Sequence, residues 1–513
     1  MFAKTYSYTL NGIDAEKIDI EIDVKTSLFR FIIVGLPSNS VKESKERVCS
    51  AIQNSNFRFP NNAYTVNLAP ADLKKDEVGL DLAMAIAILI ATKQLVMQNG
   101  ETTAIVGELS LDGEVRPVKG VLPFAVAAVR DGIKTLIVPC ENAAEAALIE
   151  GVDVYGVSTL EETVDLLMGN IEAEPLKVNL EEIFKVDYED IDDMFDVKGQ
   201  YHVKRALEIA AAGGHNILMI GPPGSGKTML SRRLPGILPE FALDEALETT
   251  KIFSVAGLLS KYKKGVVVSR PFRSPHHTIS DIALIGGGSI PKPGEVSLSH
   301  NGVLFLDELP EFKKSALEVL RQPLEDGFVT ISRAVSTLCF PAKFMLVASM
   351  NPCPCGYFGS NIEGHTCNCS MQQIIKYRSK VSGPLLDRID IHIEVPQLHY
   401  NELMEVPSGE KSCDIRKRVN LAREMQTQRF KKEKIFCNAQ MSSKHIRKYC
   451  NLDEESKVLL RAAMAKKGLS ARAYDRILKL SRTIADIDNS QEIEFKHLSE
   501  AVQYRNLDKK YWE

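Results

Sequence analysis

The sequence predicts an α/β protein of about three domains, at roughly 150 residues each: a mixed α+β front, a P-loop core and a helical C-terminal region. Three observations predict it. Gly221-Pro-Pro-Gly-Ser-Gly-Lys-Thr228 fits G-x-x-x-x-G-K-[ST], between an apolar run at Asn216–Ile220 and a helical pattern beginning at Met229. Eighty residues beyond Lys227, Val303-Leu-Phe-Leu-Asp-Glu308 is a short apolar run that ends in two carboxylates. Toward the C-terminus, Ile415, Val419 and Ala422, and then Ala473, Ile477, Leu480 and Ile484, recur at helical spacing.

Composition narrows the class. The 513 residues are 44 % hydrophobic and 25 % charged, the balance of a soluble globular protein. The longest apolar run, Leu82–Ala91, falls short of the roughly 18 residues that cross a bilayer, so no membrane partner is expected. The opening Met1-Phe-Ala-Lys-Thr-Tyr lacks a signal-peptide layout, which predicts a cytoplasmic protein. A net charge of −4 gives no overall attraction to nucleic acid, so any such contact requires local basic patches or a ring of subunits. Ten cysteines in a cytosolic chain are not expected to form disulfides.

In chain order, residues 1–170 form the front domain. Ile18–Val24 and Phe29–Val34 read as strands, Lys42–Gln53 as a helix and Asp81–Ala91 as a buried helix; Ile105–Leu111, Gly113 and Val115–Val118 read as a hairpin. Residues 171–195 are an acidic linker, with Glu181, Glu182, Asp187, Glu189, Asp190, Asp192 and Asp193. Residues 196–396 form the nucleotide core and 397–513 the helical lid. No repeats or low-complexity tracts appear.

The core carries the chemistry. Gly221, Gly224 and Gly226 let backbone N–H groups close around phosphates, with Pro222, Pro223 and Ser225 completing the loop. Lys227 reaches the β- and γ-phosphates of ATP and the Thr228 hydroxyl is a ligand for Mg²⁺. At the end of the second run, Asp307 holds Mg²⁺ through water and Glu308 deprotonates the attacking water. Asn351, closing Leu346-Val-Ala-Ser-Met-Asn351, either positions that water or makes a strand-end turn. In Gly383-Pro-Leu-Leu-Asp-Arg388-Ile-Asp, Arg388 suits transition-state stabilisation across a subunit boundary; an ion pair with Asp387 or Asp390 fits its residue type equally. Arg472 and Arg476 lie one turn apart on a C-terminal helix, and one of them can reach phosphate from the lid.

Eighty residues between Lys227 and Asp307 exceed a minimal core, so Lys251–Gly294 is expected to contain an inserted hairpin or loop. Lys261, Lys263, Lys264, Arg270, Arg273, His276 and His277, beside glycines 286–288, either grip a phosphate backbone or form a solvated basic loop. Cys353-Pro-Cys355 and Cys367-Asn-Cys369 offer four thiolates for a structural tetrahedral Zn²⁺, with His365 as a substitute ligand; free buried thiols are the alternative. Arg416, Lys417, Arg418, Arg423, Arg429, Lys431, Lys432 and Lys434 could add phosphate contacts, or form an ordinary solvated helix face.

The ordered set GPPGSGKT, LFLDE, SMNP, GPLLDRIDI and LSARAYDRIL resembles the AAA+ ATPases, specifically the magnesium-chelatase-like family and its YifB subfamily, which includes a competence protein. Phe272-Arg-Ser-Pro-His-His-Thr278 and Gly286–Glu295 resemble that subfamily too. The resemblance implies Lys227 and Thr228 as Walker A, Asp307 and Glu308 as Walker B, Asn351 as sensor 1, Arg388 as a trans arginine finger and Arg472 as sensor 2. It also implies inserts that project into the pore of a ring. Residues 1–170 resemble the proteolytic domain of Lon, a ribosomal S5 domain 2-like fold, through Ile105–Pro117 and Gly132–Pro139. Aligned on that domain, Gly79 takes the serine position and Leu122 the lysine position, so a Lon-like fold without peptidase activity is expected.

Together these resemblances imply a homo-hexameric, ATP-driven DNA motor, a branch-migration helicase acting on single-stranded, forked or branched DNA with recombination proteins as partners. A chelatase-type motor or an unfoldase acting on a protein is the alternative. Against the chelatase, the tetrapyrrole subunit is expected to lack the Lon-like front and the paired C-x-C.

Overall fold

The computed structural model describes residues 1–73, 75, 79–179, 183, 191–262, 265–288, 291–332, 337–359, 366–397, 409–433, 435–467, 470–505 and 507. The chain forms two compact units. One comprises Met1–Lys185, Leu243–Val268 and Ser332–Phe340; the other comprises Val186–Ala242, Ser269–Ile331 and Pro341–Glu513.

In the first unit, strand Asp14–Lys25 alternates strictly: Ile18, Ile20, Ile22 and Val24 face inward, and acids stand between them. It lies near the middle of a seven-stranded mixed sheet whose order is 30–34, 63–69, 14–25, 2–11, 103–105, 135–139, 153–157. Helix Asp81–Ala91, apolar all round, is buried over almost its whole length, as its composition requires. Its one acid, Asp81, is held by Arg47 Nε at 2.7 Å. Helix Asn39–Asn54 starts where Ser38 accepts from the Val41 amide. The expected hairpin is shorter than its apolar run: Glu108–Leu109 pair with Val115–Arg116, while Ile105 belongs to the large sheet. Gly79 accepts from the Gly107 amide and Leu122 is fully buried, so neither position offers a nucleophile or a base.

Leu243–Val268 packs in this first unit, which divides the expected insert Lys251–Gly294. Helix Leu243–Ala256 brings the Ser254 hydroxyl to the buried Glu145 carboxylate, which also accepts from Leu122 N at 2.8 Å. Val266 is buried against Leu122 and Leu148. Lys263 and Lys264 lie outside the described residues. The remainder of the insert, in the second unit, is helix Asp281–Ile285 and a two-stranded hairpin pairing Gly286–Gly287 with Lys292–Pro293.

The second unit contains a five-stranded parallel sheet in the order 272–273, 303–306, 345–350, 217–220, 391–394. Ile217–Ile220 is buried at every residue because both faces are covered, which is why such strands read as continuous apolar runs. Helix Tyr201–Gly213 and C-terminal helices Ser412–Arg429 and Ala471–Ile487 share one core with it; Ile415, Val419, Ala422, Ile477, Leu480 and Ile484 all point inward. The first-made strand lies between two made last, so the crevice at its C-terminal end is where such sheets bind ligands. The acidic stretch is anchored rather than wholly solvated: Asp193 accepts from the amides of Phe195 and Ser412, and Met194 is buried. Glu181, Glu182, Asp187, Glu189 and Asp190 lie outside the described residues. Among the described residues, no helix is long and apolar enough to cross a membrane.

Candidate active site

Strand Ile217–Ile220 ends at Gly221, and helix Lys227–Arg233 begins six residues later. Gly226 turns the chain into that helix at φ 86°, a left-handed conformation that a side chain would strain. The lysine behind it is almost enclosed. Lys227 Nζ donates to the carbonyls of Gly221 and Pro222 at 2.8 Å each and to Asn351 Oδ1 at 3.3 Å. Burial holds its ammonium down to about 8, against the pull of Asp307 and Glu308. A cation kept dry among carbonyls is poised for an anion of higher charge.

Opposite it, Thr228 Oγ1 donates to Asp307 Oδ2 at 2.6 Å. Ser349, buried on strand Met345–Met350, donates to the other carboxylate oxygen. Ser349 was not singled out by spacing; its only signal is a hydroxyl inside an otherwise apolar strand. Glu308 follows at φ 54°, outside the usual region for a side chain, and it is about half exposed. His277 Nδ1 lies 3.8 Å from its Oε2, another residue whose place at this site the sequence did not reveal. Lys227, Thr228, Asp307, Glu308 and Asn351 thus converge at the C-terminal ends of three adjacent strands. The hydroxyl and carboxylate oxygens suit Mg²⁺, and the loop amides with the dry lysine suit a triphosphate.

Arg388 lies elsewhere. Asn216, just before strand Ile217–Ile220, donates to the Arg388 carbonyl at 2.8 Å and accepts from Leu346 N at 2.8 Å. The arginine's backbone therefore sits at the N-terminal ends of the strands, with the four-residue strand, about 13 Å long, between it and the phosphate loop. Its guanidinium pairs with Glu325 and donates to the Pro384 carbonyl, not with Asp387 or Asp390. Arg472, more than half exposed, reaches the other oxygen of Glu325 at 3.3 Å. Arg476 pairs instead with Asp390, which also meets His215 Nδ1 at 3.1 Å.

That last cluster is structural. Burial alone would raise the Asp390 carboxyl, but Arg476 and His215 outweigh it and hold the group well below the usual range. A depressed acid contributes stability above its unfolded value, near 4, and loses it as the pH falls further. Arg476→Ala is expected to cost about 3 kcal/mol at neutral pH, since it strands a buried carboxylate. The deficit should shrink as the pH falls toward the ordinary carboxylate range, where Asp390 without Arg476 takes up a proton; denaturant melts at neutral and acid pH check this.

Six arginines among the basic residues expected to meet phosphate are engaged within the chain. Arg270 bonds the carbonyls of Pro239 and Asn301, and Arg273 pairs with Glu295. Arg416, Arg418, Arg423 and Arg429 bind Gly236 O, Glu208 with Glu410, Phe436 O with Ala211 O, and Asp486. Lys417 is exposed and pairs with Asp414 at 2.9 Å, Lys431 and Lys432 are exposed, and Lys434 lies outside the described residues. Near Asn351, the sulfurs of Cys353, Cys355, Cys367 and Cys369 all lie within 4.8 Å of one another. His365 lies outside the described residues.

Comparison with known proteins gives the family. Residues 193–403 match the family described as magnesium chelatase, subunit ChlI, and residues 409–505 match its C-terminal family. Residues 20–142 match the family described as subunit ChlI of Mg-chelatase. Over 508 residues the chain is 45 % identical to competence protein ComM of Haemophilus influenzae, covering 98 % of this chain and 97 % of that one. It is 43 % identical over 500 residues to the uncharacterized protein YifB of Salmonella typhimurium, covering 97 % and 96 %. Over 142 residues it is 31 % identical to Lon protease 2 of Bacillus subtilis, 27 % of this chain and 25 % of that enzyme. The front region thus matches proteins of both names, so it does not by itself argue against a chelatase-type role.

Proposed function

Because this chain belongs to the magnesium-chelatase-like family of ComM and YifB, we propose that it is an ATP-hydrolysing ring motor, a homo-hexamer that works on DNA. One observation carries the ring: Arg388 lies at the opposite end of the strands from the phosphate loop, so its own nucleotide is out of reach. A neighbouring copy's nucleotide is the remaining target. In this reading Lys227 neutralises the β- and γ-phosphates, and Thr228 and Asp307 hold Mg²⁺. The ion, when bound, offsets phosphate charge. Glu308 takes the proton of the attacking water, which Asn351 orients, and Arg388 of the next copy meets the charge that develops on the γ-phosphate. Arg472, exposed beside Arg388, is better placed for phosphate than Arg476, which is committed to Asp390.

The DNA half of the proposal draws on the relative named as a competence protein, and branch migration of recombination intermediates is the activity that fits it. Such a substrate places the motor in the cytoplasm with recombination proteins as partners. The exposed Lys417, Lys431 and Lys432 are its candidate phosphate contacts. Four-way or forked DNA is expected to raise ATP turnover several-fold, measured by phosphate release, whereas unfolded protein is not. Turnover indifferent to DNA of every architecture, yet raised by a protein substrate, would replace the DNA motor with a chelatase-type or unfoldase motor. The four sulfurs we assign to one structural Zn²⁺ per chain.

A further inference from the structure

The cysteine cluster sits against the nucleotide site. Cys353–Cys355, Cys355–Cys367 and Cys353–Cys367 sulfur separations are 3.3, 3.5 and 3.7 Å. All are far beyond the disulfide length of about 2.05 Å. They approach the edge of about 3.8 Å that a sulfur tetrahedron has when each Zn–S bond is about 2.3 Å. The Phe358 amide donates to Cys353 sulfur at 3.3 Å, the kind of outer bond that orients a metal-bound thiolate.

Three contacts join this cluster to the phosphate loop. Gly356, inside the first cysteine turn, has φ 88°, and a Cβ there would lie 2.6 Å from Pro223 Cδ of the loop. The turn therefore rests its bare backbone on the proline ring. Asn351, two residues before Cys353, accepts from Lys227 Nζ. Arg378, buried, donates through Nε and Nη2 to the Pro352 carbonyl at 3.0 and 2.9 Å, pinning the peptide between Asn351 and Cys353.

We propose that a Zn²⁺ held by Cys353, Cys355, Cys367 and Cys369 is part of the nucleotide site's architecture: by closing the cysteine turn against Pro223 and fixing Asn351, it sets the affinity for ATP. This rests on reading Gly221–Thr228 as the nucleotide loop. Four thiols crowded without an ion gain little from one another. Loss of the metal therefore frees the turn, and with it the backing of Pro223 and Asn351.

The test uses the full chain, zinc analysis and titration with a fluorescent ATP analogue. About one zinc per chain is expected, and stripping it with a thiol reagent and chelator should weaken analogue binding about tenfold, restored by Zn²⁺ and not by Mg²⁺. Gly356→Ala separates coupling from folding, because it leaves all four ligands in place. It should keep its zinc and still bind the analogue about tenfold more weakly, because its methyl group would push the turn off Pro223. Unchanged affinity, either after the zinc is stripped or in a fully zinc-loaded Gly356→Ala, would overturn the coupling and leave the metal site standing. No zinc, with four titratable thiols, would overturn the metal site. A zinc-loaded parent chain that does not bind the analogue would overturn the underlying nucleotide reading instead.

Discussion

Glu308→Gln is expected to bind ATP as tightly as the parent chain and to hydrolyse it about a thousandfold more slowly. The amide has the carboxylate's shape but cannot accept the proton of the attacking water. The structure makes this a clean substitution. Glu308 is about half exposed, its side chain lies 3.8 Å from His277, and its backbone amide donates to Asp307 Oδ1. Single-turnover hydrolysis against analogue binding separates the two effects, and a variant with parental turnover would remove Glu308 from the chemistry.

Arg388→Ala should fold, assemble and bind ATP, and lose about a thousandfold in hydrolysis. The loss comes from charge: a guanidinium opposite the γ-phosphate stabilises negative charge that grows only in the transition state. The structural cost is small for a buried arginine. Its partner Glu325 is half exposed and keeps Arg472 at 3.3 Å, so no buried carboxylate is stranded. Arg476→Ala, which does strand one, is its counterpart: stability falls there, whereas turnover falls here. Assembly by light scattering, analogue binding and phosphate release together give the pattern.

The sequence made the local chemistry legible. Ile18, Ile20, Ile22 and Val24 announce a one-sided strand by period, and Asp81–Ala91 a buried helix by the lack of any polar face. Gly226 and Lys227 are fixed by a loop whose every residue has a task, which is why its reading matches the observed turn. What stayed hidden is long-range. Helix Leu243–Ala256 looks like any amphipathic segment, and contacts distant in sequence, such as Ser254 with Glu145, show the unit it joins. Glu325 lies 63 residues before Arg388, with no spacing rule to connect them. The basic residues hid their partners for a related reason. A guanidinium carries five donors, and Arg270, Arg416 and Arg423 use theirs on backbone carbonyls, a use that charge counting does not reveal.

The central claim is that one copy's phosphate loop and the next copy's Arg388 form a single ATPase site, and mixing two dead variants tests it most directly. Lys227→Ala keeps the arginine and lacks the phosphate grip; Arg388→Ala is the reverse. Combined in equal amounts under exchange conditions, they should recover about a quarter of the parental turnover, the share of interfaces where random pairing joins an intact loop to an intact arginine. A mixture as inactive as either variant alone, with mixed assemblies demonstrated, would contradict the shared site.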